Sequence, residues 1–242
     1  MSTDKRVIMV SDIPVEVVRK NIKNLHLGVY PPEGVVRISV PSHVSDDSAR
    51  LAVISRLAWI KRQQDQFRKQ PRQTQRCYVT GESHYFRGRR YILDVVERTG
   101  PHLVELRSNA KLKLVVNPGT SEKGRHLAMD RWYRHEMRAE VNALLEKWLP
   151  KIGKPLRDWG IKRMKTKWGS CNTSAARVWL NLELIKKSPE CLEYILVHEL
   201  AHLHERHHND RFVQILDQLL PSWRRSRDIL KSEPLAHEDW TY

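Results

Sequence analysis

The sequence predicts an α+β fold: a β-rich N-terminal lobe over residues 1–120, then a helical lobe with a small sheet over 126–242. Three observations predict it. Short Val- and Ile-rich segments separated by turn residues fill the first half. From about residue 126 the apolar residues recur at helical spacing instead. A segment opening at Ser188 then begins as helices begin and continues as an apolar run interrupted by histidines.

Taken in order, strands are expected at 6–10, 14–19, 25–30 and 35–40, with a turn at Pro31-Pro32-Glu33-Gly34. A helix should start at Ser45, a good N-cap, with Asp46 and Asp47 in its first turn. Leu51, Ile54, Leu57 and Ala58 are its expected apolar face. The basic stretch 61–76 reads as a solvated helix end and loop, or as a contact for a polyanion. Further strands are expected at 77–80, 89–96, 102–107 and 111–116, with a hairpin loop at 81–88 that carries His84 as a loop residue. Residues 101–125, with Pro118, Gly119 and Gly124, are the expected linker. A helix should follow to Pro150, with Leu127, Trp132, Met137, Val141, Leu144, Leu145 and Trp148 on one face. Strands are expected at 161–164 and 176–184, and Trp168–Cys171 reads as a tight turn. Ser188-Pro189-Glu190 starts a helix reaching about Arg206, buried through Leu192, Ile195, Leu196, Leu200 and Leu203. Another begins near Asp210 and stops at Pro221. No internal repeat is evident.

Composition narrows the function. Of 242 residues 40% are hydrophobic and 29% charged, so the chain should fold rather than stay disordered. No apolar run approaches the roughly 18–20 residues that span a bilayer, and the N-terminus lacks a secretory apolar segment. A cytoplasmic protein with no membrane partner is expected. Cys77, Cys171 and Cys191 are odd in number and far apart, which excludes a disulfide framework and a paired C-x-x-C zinc site. Lys and Arg outnumber Asp and Glu by 43 to 28, a net +15 that favours polyanions: nucleic acid bound non-specifically, acidic protein surfaces or anionic membranes. The plainer alternative is a well-solvated basic surface.

The strongest chemical signal is His198-Glu199-Leu200-Ala201-His202. Residues four apart on a helix lie on one face, so both imidazoles can share one tetrahedral metal. Glu199 is rotated by about 100°, beside the metal rather than on it. A general base for a metal-bound water belongs there. In a chain with 12 histidines the five-residue pattern alone is weak, and the capped helix supplies the context it needs. A third ligand must come from His204, Glu205, His207 or His208. His204 points off the metal face. His208 and His207 both remain open, since Asn209 and Asp210 allow the chain to turn back. Residues 177–182 fit either an edge strand that pairs with extended substrate or an ordinary core strand. Cys171 reads as a small packed thiol in preference to a regulatory thiolate on the metal.

Lys165-Thr166-Lys167-Trp168-Gly169-Ser170-Cys171, Leu180-Asn181, Val197 to Leu203, His208 and Phe212 together resemble the YgjP-like metallopeptidases. These are related to the SprT-like and WLM families and to gluzincin-type zinc peptidases. Residues 36–41, 59–60, 81–82 and 88–91 resemble the family's N-terminal β region. The resemblance implies a zincin-like metallopeptidase lobe, Zn2+ held by His198, His202 and His208, and Glu199 as the base. It implies hydrolysis of protein or peptide substrates. Two features depart from related patterns: His207-His208-Asn209 stands where the family commonly has Asn-His-Ser, and Glu205 stands where a metzincin has glycine. The rival readings are a DNA-associated protease like the SprT and WLM relatives, and a non-catalytic nucleic-acid-binding module with a vestigial metal site. An intact Glu199 argues against the second, because a structural site needs no base.

Overall fold

The computed structural model describes residues 5–30, 34–69, 76–164 and 167–232. The chain divides into two units, one within Met1–Arg72 and one spanning Gln73–His237. The division falls within the basic 61–76 stretch, and Pro118–Gly124 lies inside the second unit.

In the first unit, β1 (Lys5–Val10), β2 (Ile13–Lys20), β3 (His26–Tyr30) and β4 (Val35–Pro41) form a sheet in the order β1-β2-β4-β3. Its Val and Ile residues alternate inward, with Val15, Val17, Val36, Ile38 and Val40 fully buried. The Pro31-Pro32-Glu33 turn lies outside the described residues. Ser45 caps α1 (Asp46–Ile54), accepting the Ser48 N–H. The expected single helix is two, because the chain breaks at Ser55-Arg56 before α2 (Leu57–Lys69). The apolar face also differs: Ala49, Val53 and Ile60 are buried, while Leu51 is 66% and Ile54 45% exposed. Ala49 and Val53 meet the sheet one turn apart, so Leu51 and Ile54 fall on the far side. Residues 70–75 of the basic stretch lie outside the described part.

The second unit opens with β5 (Ser83–Phe86), β6 (Arg89–Glu97), β7 (Leu103–Leu106) and β8 (Lys111–Val116), ordered β5-β6-β8-β7. The expected strand at 77–80 does not form. The Glu82 carboxylate accepts the Cys77 and Tyr78 N–H groups at 3.0 and 2.8 Å and takes the place of a ladder. The expected loop at 81–88 is largely β5, and the turn shrinks to Arg87-Gly88, both at positive φ as a two-residue hairpin requires. His84 is therefore an inward strand residue, 4% exposed and bonded to Glu82.

Ser121 caps α3 (Glu122–Ile152), which ends on Gly153 in the left-handed region. Met129, Tyr133, Met137, Val141, Leu145, Trp148 and Ile152 line its buried face. Leu127, expected there, is 51% exposed. The third sheet runs β10-β11-β9, from β9 (Asp158–Lys162), β10 (Gly169–Asn172) and β11 (Arg177–Asn181). The expected turn at Trp168–Cys171 is mostly strand. A 3-10 turn (Leu182–Lys186) leads into α4 (Pro189–Ala201), followed by α5 (Asp210–Leu219) and α6 (Trp223–Ser232). Among the described residues no helix is long and apolar enough to cross a membrane.

Candidate active site

α4 packs against α3, α5, α6, β10 and β11. It is buried on nearly every side, from Cys191 and Leu192 through Leu196 and Val197 to Leu200 and Ala201. It stops at His202, about a turn short of the expected Arg206, because the chain must fold back. The Leu203 and His204 N–H groups close a tight turn on Leu200 and Ala201, and Asn209 caps α5 by accepting the Phe212 N–H. This reversal returns His208 to the end of α4.

His198, His202 and His208 meet there, with ligand-type atoms all within 4.8 Å of one another. The Nε2 of His208 lies 3.0 Å from that of His198 and 3.1 Å from that of His202. His202 donates its Nδ1–H to the Glu205 carbonyl at 3.0 Å, which leaves its Nε2 a lone pair. Burial and the neighbouring His202 and His208 push His198 down to about 4, and burial lowers His202 as well. Those two imidazoles are thus neutral near pH 7. Three ring nitrogens this close cannot all be satisfied by each other's protons, but one cation satisfies all of them. An all-imidazole set suits a transition metal rather than calcium or magnesium.

Phe212, one turn beyond His208, underlies the cluster. Its ring centroid lies 4.9, 4.6 and 4.9 Å from those of His198, His202 and His208. The other nearby candidates are held elsewhere. His204 donates from Nε2 to the Ile152 carbonyl at 2.7 Å. His207 is exposed, and its main-chain N–H binds the Glu205 carboxylate at 3.0 Å.

Glu199 is 6% exposed, and burial raises its carboxyl to about 7 against the pull of Lys167. Across from it runs β10. The Asn181 side chain donates to the Met164 and Lys167 carbonyls at 2.8 and 2.9 Å, and its main-chain N–H to the Trp168 carbonyl. Asn181 therefore fixes the approach to β10. With Trp168 and Asn181 hydrogen-bonded, ladder alternation turns the main-chain groups of Gly169 and Cys171 toward the open side of the sheet. Nothing among the described residues pairs with that side. Of the two readings left open for 177–182, the core strand holds: β11 is central, flanked by β10 and β9. The edge beside the histidines is β10. Cys171 stays a protonated thiol, raised to about 11 by burial and by Glu199.

The profile of the YgjP-like metallopeptidase domain matches residues 23–233. The chain belongs to this family. This YgjP-like protein is accordingly a metallopeptidase of α+β fold. Among solved structures, the metallopeptidase zymogen of Pyrococcus abyssi abylysin is similar over 37% of this chain and 87% of its own, at 25% identity and a TM-score of 0.33. Comparison with curated proteins finds no significant match. Of the residues singled out in the YgjP-like sequence, His198, His202 and His208 lie together and Glu199 is buried on the same helix as His198, while the task of Asn181 and the fit of Gly169 against Glu199 were not anticipated. A polar residue closing an apolar strand was the only signal for the first.

Proposed function

We propose that the protein is a zinc peptidase in which His198, His202 and His208 hold the metal and Glu199 moves the proton. The observation that carries this reading is the convergence of three imidazoles beside one buried carboxylate. Zinc bound there would supply Lewis acidity, making water nucleophilic near neutral pH and polarising the scissile carbonyl. The remaining work belongs to the chain. The open edge of β10 pairs with an extended protein or peptide through the main-chain groups of Gly169 and Cys171. Glu199, poised near neutrality by its burial, takes a proton from the attacking water and delivers it to the leaving amine. The carboxyl stays in place because α4 is packed on nearly every side.

The deciding experiment measures zinc stoichiometry and casein cleavage for wild type and Glu199→Gln, with a chelator control. Loss of a general base should lower the rate by ~10²–10⁴ while zinc content holds. Equal, chelator-sensitive cleavage by both proteins would refute the role of Glu199. The net +15 supports a second reading, in which nucleic acid recruits the enzyme to bound proteins. That reading requires binding to DNA that weakens steeply with salt. Absence of binding at low salt would remove it.

A further inference from the structure

We propose that Gly169 is a positioning residue for Glu199, its missing side chain being the space the carboxylate occupies. An ideal Cβ built on Gly169 would stand 2.6 Å from Oε1, 2.7 Å from Cγ and 2.9 Å from Cδ of Glu199. All three distances are inside the closest approach real Cβ atoms make. Backbone conformation does not explain this glycine, because Gly169 is absent from the positive-φ positions and sits in an ordinary strand. Strand interiors disfavour glycine unless something approaches closely. Here the approaching group is a carboxylate that belongs to the candidate chemistry.

Glu199 has little freedom to step aside. It is 6% exposed on a helix whose neighbours Val197, Leu200 and Ala201 are fully buried. Cys171, two residues along β10 and on the same strand face, is close enough to Glu199 for the carboxylate to raise its thiol. A methyl group at 169 must therefore push the carboxyl off its position beside His198 or push β10 off α4. A Cβ at Gly81, Gly100, Gly119 or Gly153 would meet nothing within 4 Å, whereas one at Gly28, Gly34, Gly88, Gly124 or Gly160 would also meet an atom inside 3 Å. What distinguishes Gly169 is the group it meets, the carboxylate of Glu199.

The inference rests on the peptidase reading for its catalytic consequence, but its geometric content is independent of activity. The test is a double-mutant cycle on the full zinc-loaded chain: wild type, Gly169→Ala, Glu199→Ala and the double variant. Gly169→Ala should lower kcat for casein by about 10²-fold, the scale of a misplaced reacting group, with KM little changed and zinc content intact. It should also lower Tm by roughly 3–10 °C in the wild-type background, as overpacking does. In the Glu199→Ala background, where the space is free, it should leave Tm unchanged or raise it. An equal Tm loss in both backgrounds overturns the proposal, as does full kcat in Gly169→Ala. Should Gly169→Ala fail to fold, a folded double variant supports the proposal and an unfolded one overturns it. Should wild type cleave no casein, the peptidase reading loses support while the Tm cycle still decides the fit.

Discussion

Glu199 should destabilise the metal-free protein in a pH-dependent way, and Glu199→Gln should remove that cost. Its carboxyl is raised from 4.5 to about 7 by burial. Between those values the folded chain keeps a proton that the unfolded chain has released. Stability therefore falls as pH rises from 4.5 toward 7 and is level above that. A displacement of this size corresponds to about 3 kcal/mol at pH 8, against less than about 0.5 kcal/mol at pH 4.5. Gln fills the same volume and carries no charge, so it avoids the loss. His198 works in the opposite direction, because its value is depressed to about 4 and its contribution is lost as pH falls from 6.5. That contribution is common to both proteins and cancels in their difference. Zinc must be stripped, since a bound dication would itself favour the carboxylate. Thermal melts of both chelated proteins from pH 4.5 to 8 should show curves that coincide at the acid end. Glu199→Gln should rise above wild type by about 6–12 °C at the alkaline end. Parallel curves across the whole range would refute the argument that burial outweighs the pull of Lys167 on Glu199.

Three further outcomes follow from the site. His208→Ala should lose zinc while His204→Ala keeps it, because His204 is committed to the Ile152 carbonyl; zinc retained by His208→Ala and lost by His207→Ala would assign the third ligand differently. Phe212→Leu should weaken zinc about 10–100-fold by competition with a chelating dye, since one ring supports all three imidazoles; unchanged affinity would make Phe212 mere core. Iodoacetamide at pH 7.5 should label exposed Cys77 well before Cys171, whose thiol is raised to about 11, and buried Cys191; mass spectrometry showing Cys171 labelled first would point to a thiolate there.

The metal helix was legible because its signals are local. Pro189 and Glu190 mark its start, and the spacing of His198 and His202 fixes their common face. The third candidate ligand, His208 in the turn before α5, was narrowed but not settled by spacing. The reversal at 203–208 depends on main-chain bonds and on a carboxylate, Glu205, that holds the His207 N–H. The choice between edge and core for residues 177–182 stayed open for a different reason. Residues 177–181 are flanked by β9 and β10, and strand centrality is set by partners remote in sequence. The strand at 77–80 failed because propensity says nothing of Glu82 reaching back to two N–H groups. Leu51 and Ile54 failed because apolar residues are free to sit outside.

The four-strand pattern also occurs twice, which composition and periodicity concealed. Both β1-β2-β4-β3 and β5-β6-β8-β7 have antiparallel outer pairs and a parallel central pair. Both open on two-residue hairpins, Val10 pairing with Ile13 and Phe86 with Arg89. With those turns aligned, Val17 opposite Ile38 corresponds to Leu93 opposite Leu112, and all four are fully buried. Ile8, opposite Val15, corresponds to His84, opposite Tyr91. A histidine can take an inward apolar position because Glu82 satisfies its Nε2. What separates the two patterns is the chain that follows. In the first unit α1 and α2 close the sheet. In the second, α3 runs on for 31 residues, roughly 46 Å, and reaches the metal helix. Glu193 of α4 accepts from Lys147 and from the Trp148 indole, and the Ile152 carbonyl holds His204 just beyond His202. The sheet pattern thus serves both units as a platform, and the long helix is the element that joins it to the histidine cluster.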